Sequence, residues 1–267
     1  MVSITVSIVS HGHGHLVSAL LNRIAALVNQ GERGAPRRVL LTFNQPESEL
    51  LAALEGQSWP FELVLISNQT VAGFGANHNR AFERDRALGA GTAFAVLNPD
   101  VRWTANPFAP LWAALESEPR AGCAYPIQLD AHGGRQDSER LLPTPWRLLR
   151  RHGAGRRYEI EGTSAPDWVN GAFMLLRSEA FAQVGGFDES YHMYCEDVDL
   201  CLRLQLAGWR LVRADDAFVE HAAERASHRQ PRHLLWHLRS LLRLWRSSAW
   251  REYREQRGAH DRTSGVR

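Results

Sequence analysis

Four apolar runs of strand length, ITVSIVS (4–10), RVLLTF (38–43), FELVLIS (61–67) and TAFAVLN (92–98), alternate with helix-like stretches at 16–29, 47–56 and 76–88. This β–α–β–α order predicts a parallel, doubly wound sheet. On such a sheet ligands gather beyond the carboxyl ends of the strands, where loops converge and helix N-termini point inward. HGHGH (11–15) follows the first strand and LNPDV (97–101) closes the fourth, so both fall at that edge.

At 267 residues and 44% hydrophobic, the chain can bury a proper core as one large domain or two small ones. Its 31 basic and 29 acidic residues nearly cancel, leaving no field that would imply a nucleic-acid partner. Charge is uneven along the chain: residues 221–267 hold 11 arginines against four acids, and lysine is absent throughout. Cys123, Cys195 and Cys201 cannot all pair within one chain, and Cys195-x5-Cys201 is no zinc spacing, so reduced thiols in the cytosol are expected. Neither a signal peptide nor a stretch of ~18 apolar residues stands out. The expectation is a cytoplasmic protein, peripheral at most on the inner face of the membrane.

From about Tyr125 to Ala165, Gly133-Gly134, Pro143, Pro145 and RRHGAGRR interrupt any long element, which predicts a mobile or extended insertion. Order returns with a strand in DWVNGAFMLL (167–176), a short helix, a GGFDE turn, and a helix in EDVDLCLRLQLAGW ended by Gly208. A last amphipathic helix is expected from Pro231 to Glu255. Its stripe of Leu234, Leu235, Leu238, Leu241, Leu242 and Trp245, bordered by Arg239, Arg243 and Arg246, suits a membrane surface. It suits equally a helix packed on the catalytic domain or on a second copy.

Three clusters have the chemistry of a site. Asp100, stiffened by Pro99, can hold a hard divalent cation, although Asn-Pro-Asp is also ordinary turn chemistry. Glu196, Asp197 and Asp199 open a helix, where the dipole favours acids and Asp199–Arg203 forms an i,i+4 pair. The aromatic, double-glycine approach GGFDESYHMY gives those acids a partly apolar setting that can raise a carboxylate pKa towards base function. In VAGFGANHNRAF (71–82), Gly73 and Gly75 permit close backbone approach, and His78 and Asn79 are expected to start a helix whose free N–H groups suit phosphate or ribose oxygens. No Walker loop is present.

Together these stretches resemble the family-2 glycosyltransferases, inverting enzymes that use nucleotide sugars on a GT-A fold. VSIVS, GFGANHNRAF, LNPDV, WVNGAFMLLRSEAFAQVGGFDE and YCEDVDLCLRLQLAGW stand in family order across most of residues 3–213. LNPDV together with GAFMLLRSEAFAQVGGFDESYHMYCEDVDLCLR is similar to the bacterial rhamnosyltransferase branch. The resemblance implies a Rossmann-like doubly wound mixed sheet with a C-terminal helical extension. Residues 1–125 would be the nucleotide-sugar half, 126–220 the acceptor and catalytic half of the same domain, and 221–267 a basic amphipathic tail.

Carried over by position, Asp100 stands for the last acid of the metal-binding DxD, with Asn98 where the first acid would be. Asp197 becomes the general base and Glu196 its positioning partner. His221 takes the place of a metal-ligating histidine found in some GT-A enzymes, an isolated histidine being otherwise a surface or packing residue. Phe43 occupies the place of the family's base-contacting Asp, so Thr42 or Asn44 would rebuild that contact. Ser10, His11, Gly73, Phe74, His78 and Asn79 complete the donor side. Trp168, Asn170, Gly171 and Asp199 would line the acceptor side, with Trp168 equally suited to the core. Alternate residues on a strand end point to opposite sides, so at most two of the three histidines of HGHGH can share an ion. That segment therefore reads as a donor-lining turn, with His11 facing the ligand.

The implied reaction moves rhamnose or a similar sugar from a nucleotide diphosphate donor to a hydroxyl of a glycan or lipid-linked glycan, with Mg²⁺ or Mn²⁺ at Asp100. dTDP-rhamnose is the favoured donor, ahead of UDP- and GDP-sugars. A metal-dependent nucleotidyltransferase and a non-catalytic nucleotide-sugar binder are the alternatives. All of this requires Asp100 and Asp197 to face one cleft.

Overall fold

A computed structural model describes residues 3–154, 160, 165–221 and 231–263. Its centre is an eight-stranded mixed sheet. In chain order the strands are β1 (Ile4–Ser10), β2 (Arg38–Phe43), β3 (Glu62–Ser67), β4 (Ala93–Leu97), β5 (Val101–Arg102), β6 (Ala121–Leu129), β9 (Phe173–Arg177) and β10 (Arg210–His221). They lie in the order β3-β2-β1-β4-β9-β6-β10-β5, and β7 (Glu139–Arg140) and β8 (Trp168–Val169) form a separate two-stranded pair. β1 to β4 are mutually parallel, while β9 runs against both β4 and β6.

Side chains alternate across the sheet and feed two cores. Ile4, Val6 and Ile8 pack with helices α1 (Gly14–Asn29), α2 (Ser48–Glu55) and α4 (Phe108–Ser117) on one face. Leu40, Phe94, Val96 and Met174 pack with α3 (Phe74–Ala87), α6 (Ser178–Gln183), α7 (Glu196–Leu206), α8 (Pro231–Arg246) and α9 (Ser248–Thr263) on the other. The result is a three-layer α/β domain in which one continuous sheet unites residues of both expected halves.

Three sequence expectations change. The stretch after Tyr125 is not simply an insertion: β6 continues to Leu129, and a bulge in its pairing with β10 accommodates Pro126. Pro145 then opens a helix, α5 (Pro145–Ala154), at the position where a missing N–H costs nothing; residues 155–159 and 161–164 lie outside the described residues. The expected strand 167–176 is split into β8 and β9 around Asn170–Ala172. The expected single C-terminal helix is two, because Ser247 accepts the N–H of Trp250 through its hydroxyl at 3.1 Å and starts α9 afresh. No described helix is long and apolar enough to cross a membrane. The three cysteines are free and buried.

Candidate active site

Sheet polarity brings the candidate residues to one edge. The carboxyl ends of β1, β2, β4, β6 and β10 and the amino end of β9 all lie there, carrying His11, Asn44, Asn98, Gln128, His221 and Ala172 at or just beyond them.

The NPD turn and His221 meet through strand register. His221, the last residue of β10, lies opposite Val101 of β5, and its Nε2 is 3.4 Å from Asp100 Oδ2. Burial alone would raise the Asp100 pKa. The hydrogen bond and charge of His221, its own backbone N–H and the nearby His13 outweigh burial and hold it below the usual carboxylate range. His13 was missed by sequence reasoning, which favoured His11. His11 is exposed with Nδ1 3.4 Å from the Asn44 amide, whereas His13 is half-buried, influences Asp100, and has an unpartnered Nδ1. Among the described residues no three His, Cys, Asp or Glu side chains converge on a metal position, so HGHGH is not a metal cluster. Asp100 and His221 alone form an oxygen–nitrogen pair close enough to share one ion.

Asp197 is joined to this turn by a short strip of backbone. Asn98 N–H donates to the Ala172 carbonyl at 2.9 Å, and the next residue, Gly171, donates its N–H to Asp197 Oδ2 at 3.2 Å. Asp197 Oδ1 accepts from the Val198 N–H at 2.8 Å. Burial raises the Asp197 pKa while these two N–H groups and the charge of Arg140 act in the opposite direction. Its neighbour Glu196 is 7% exposed, with Oε2 unpartnered, and burial together with the Asp197 charge pushes its pKa up to about 8. Backbone geometry here is unusual: Tyr194 (φ 73°) and Cys195 (φ 67°) are both left-handed, immediately before the acids. Each such non-glycine residue costs about 1–3 kcal/mol, a strain that clusters where function over-determines the backbone.

Space around Asp197 is tight. A Cβ at Gly171 would stand 3.2 Å from the Phe74 ring and 3.7 Å from Asp197 Cβ. Phe74 opens α3 behind Gly73, so the helix starts four residues earlier than its expected start at His78. A Cβ at Gly73 would come within 2.7 Å of the His192 carbonyl oxygen, which makes its requirement one of chain packing.

Several carried-over residues are corrected. His78 is 1% exposed, its Nδ1 bonds Ser7 Oγ at 2.8 Å, and burial lowers its pKa to about 3; it is a core imidazole, not a ligand contact. Asn79 clamps the GGFDE turn, donating to the Phe187 carbonyl at 2.9 Å and accepting the Phe187 N–H at 2.8 Å. Ser10 and Thr42 are wholly buried and offer no surface to a base. Asn44 is occupied in pinning the donor loop, holding the Ala72 carbonyl and N–H at 3.0 and 2.8 Å. Asp199 spends its carboxylate on Arg203 at 2.7 Å, the ordinary i,i+4 pair. Trp168 is 8% exposed and donates to the Leu141 carbonyl at 2.9 Å, so its indole is mostly core. Asn170, by contrast, is half-buried beside Gly171 and is held in place by a reciprocal pair with Gln128 at 2.6 and 3.0 Å. Arg140, unforeseen in the sequence, stacks 5.1 Å over the Trp168 ring and places a cation near Asp197.

Residues 150–256 match the model of glycosyl transferase family group 2. Over 164 residues the chain is 37% identical to an N-acetylglucosaminyl-diphospho-decaprenol L-rhamnosyltransferase of Mycobacterium tuberculosis, covering 54% of this chain and 52% of the relative. It is 47% identical over 88 residues to the rhamnosyltransferase WbbL of Escherichia coli K12, 32% of each chain. The chain thus spans at most about half the length of the curated relatives it matches. Two solved structures share the fold. GalNAc-T7 with UDP, GalNAc and Mn²⁺ has a TM-score of 0.61 at 16% identity, over 83% of this chain and 44% of that one. The mannosyltransferase PcManGT of Pyrobaculum calidifontis with GDP-Man and Mn²⁺ has a TM-score of 0.56 at 17% identity, over 90% and 64%. Sheet order and these neighbours together give the chain a GT-A fold, within which residues 150–256 match the family-group-2 glycosyltransferase model and 164 residues are similar to a bacterial rhamnosyltransferase.

Proposed function

We propose that the protein is an inverting glycosyltransferase that moves rhamnose from dTDP-rhamnose to a hydroxyl of a lipid-linked glycan at the cytoplasmic membrane face. The observation that carries this reading is the strip Asn98–Ala172–Gly171–Asp197, which ties the metal turn to a buried carboxylate. Two backbone N–H donors fix both oxygens of Asp197, so it meets an acceptor hydroxyl in a set orientation. Asp197 takes the hydroxyl proton as the oxygen attacks the anomeric carbon from the face opposite the diphosphate, which inverts the configuration. Glu196, with its pKa at about 8, keeps its own proton at neutral pH and spares the site a second negative charge.

Asp100 and His221 would hold a divalent cation, and their mixed oxygen and nitrogen donors fit Mn²⁺ better than Mg²⁺. Bound there with the donor's diphosphate, the ion supplies charge neutralisation to the leaving group. His11, His13, Phe74 and Asn98 form the donor-facing set on this reading, and Asn170, Gly171 and Arg140 the acceptor-facing set. The rhamnosyltransferase relatives favour this reading over a nucleotidyltransferase or a silent binder.

The test incubates the full chain with dTDP-rhamnose, UDP-sugars or GDP-sugars, a lipid-linked N-acetylglucosamine acceptor, and Mn²⁺, Mg²⁺ or EDTA. Inverted rhamnoside formed only with divalent metal is the expected result. Release of inorganic diphosphate from a nucleoside triphosphate, or donor binding with no transfer to any acceptor, would overturn it.

A further inference from the structure

A cavity of about 830 Å³ lies between α8 and the loop 188–193 that leads into the catalytic acids, a volume within the roughly 300–1,000 Å³ of small-molecule sites. The loop faces both ways. Its His192 carbonyl accepts the Phe74 N–H at 3.1 Å on the donor side, while Ser240 of α8 donates to the Met193 carbonyl at 2.9 Å.

Arg239, Arg243 and Arg246 line this cavity from one face of α8. None of the three has a carboxylate within ion-pair distance among the described residues, in contrast to Arg38, Arg203 and Arg213. α8 contains no acidic residue, and Asp188, the one acid in the lining, already accepts the Ser190 N–H at 2.9 Å. Tyr191, also in the lining, is 1% exposed with a hydroxyl that finds no partner, and the Arg243 guanidinium stands 5.9 Å over its ring. A cluster of unneutralised guanidinium groups is chemistry for phosphate oxygens.

The surface beside the cavity is apolar. Of the eight large hydrophobic side chains that are exposed among the described residues, six lie on α5 and α8: Trp146, Leu149, Leu234, Leu235, Leu238 and Leu242. Leu242 belongs both to that stripe and to the cavity lining. α8 is tied to the segment that leads into α5, where the Trp245 indole donates to the Pro143 carbonyl at 2.8 Å. α5 also carries arginines and no acid, so the whole surface complements an amphiphile with an anionic head and an apolar tail.

We propose that the α8 cavity binds the diphosphate of a lipid-borne ligand, whose apolar chain runs out along Leu242, Leu238 and Leu234. This deepens the lipid-linked acceptor reading above and rests on it for the ligand's identity as acceptor.

The experiment measures binding to the full chain of farnesyl diphosphate, inorganic diphosphate and farnesol, without sugar donor. Farnesyl diphosphate is expected to bind at least about tenfold tighter than either fragment. The substitutions Arg239→Gln, Arg243→Gln and Arg246→Gln together should weaken it by about tenfold or more. Leu234→Ser with Leu238→Ser should weaken farnesyl diphosphate while leaving inorganic diphosphate unchanged. Metal-dependent hydrolysis of dTDP-rhamnose, retained in both variants, gauges folding. Three results would overturn the site: farnesyl diphosphate bound no tighter than farnesol, displacement of the bound probe by dTDP, or a dimer that dissociates on the leucine substitutions with no probe binding. If the probe binds as described and no sugar is ever transferred, the functional reading alone fails. If transfer to a lipid acceptor ignores the arginines, this site alone fails.

Discussion

The two edges of the central sheet handle buried polar groups in opposite ways. At the amino edge, Arg38 at the start of β2 donates to Asp85 at 2.5 Å, to Glu62 at 2.7 Å and to the Leu88 and Gly89 carbonyls, and Asp85 also accepts from Thr5 and from the Gly91 N–H. At the carboxyl edge, His13 Nδ1, His221 Nδ1 and Glu196 Oε2, each close to Asp100 or Asp197, are buried without partners among the described residues. Two left-handed residues add strain there. A closed network serves stability, whereas strained backbone beside unpaired acids and imidazoles is the mark of a site where function over-determines the structure. The same strands are therefore anchored at one end and poised at the other.

The largest effect should come from breaking the anchored edge. Asp85→Ala leaves Arg38 buried with only the partly exposed Glu62 as counter-ion, and should cost about 3–5 kcal/mol in denaturant unfolding while leaving the donor Kd of the folded fraction unchanged. An unaltered unfolding midpoint would remove the contrast.

Asp197→Asn probes the poised edge, where the expectation is reversed. Turnover should fall by on the order of 10²-fold or more, with thermal stability unchanged or higher because a buried charge is lost. Undiminished transfer in a folded variant would refute the base assignment.

Gly171→Ala sharpens the comparison by a single methyl group. Its Cβ would press on Phe74 beside Asp197, so kcat should drop by about tenfold with little change in Tm, since a small misplacement of a base is costly in rate. Equal loss in a distant β-strand alanine variant would show general destabilisation instead.

Glu196→Gln is the subtlest. Because the folded-state pKa is raised to about 8 from 4.5, the unfolded chain sheds this proton first, so Glu196 costs stability progressively as pH rises between those values. The amide should therefore raise Tm by a few degrees, roughly 2–6 °C, at pH 8 and by almost nothing at pH 4, as followed by calorimetry. A pH-independent difference would contradict the raised pKa.

Local pattern carried the anchored part of the molecule well. The expected strand at 4–10 is β1, that at 38–43 is β2, that at 61–67 exceeds β3 by one residue at its start and that at 92–98 exceeds β4 by one residue at each end, because apolar runs bounded by turn residues report strands directly. The pairing of Asp100 with His221 and of Gly171 with Asp197 depends on tertiary register: the two aspartates stood out by local chemistry, but His221 and Gly171 only through the family resemblance. Individual roles were less legible. His78 and Asn79 look like ligand residues in a glycine-rich stretch, yet Gly73 caps the helix early, which buries His78 and turns Asn79 onto the Phe187 backbone. His13, rather than His11, lies by Asp100 because the chain turns at Gly12, whose φ is 80° and whose N–H is held by Glu47. The helix break at Ser247 had a local signal, a serine followed three residues later by the N–H it caps, hidden within an unbroken leucine periodicity.

The last helix also fixes where this protein can be cut. Asp167, immediately before Trp168, is buried, and its carboxylate is gripped by the Tyr253 hydroxyl at 2.8 Å and by Arg257, while the same tyrosine reaches Gln205 of α7 at 3.0 Å. A truncation ahead of Tyr253 would abandon an interior anion that nothing else can neutralise as well. Fragments, fusions and chimeras built on this scaffold must therefore keep the chain through Arg257, even when only the sugar chemistry is wanted.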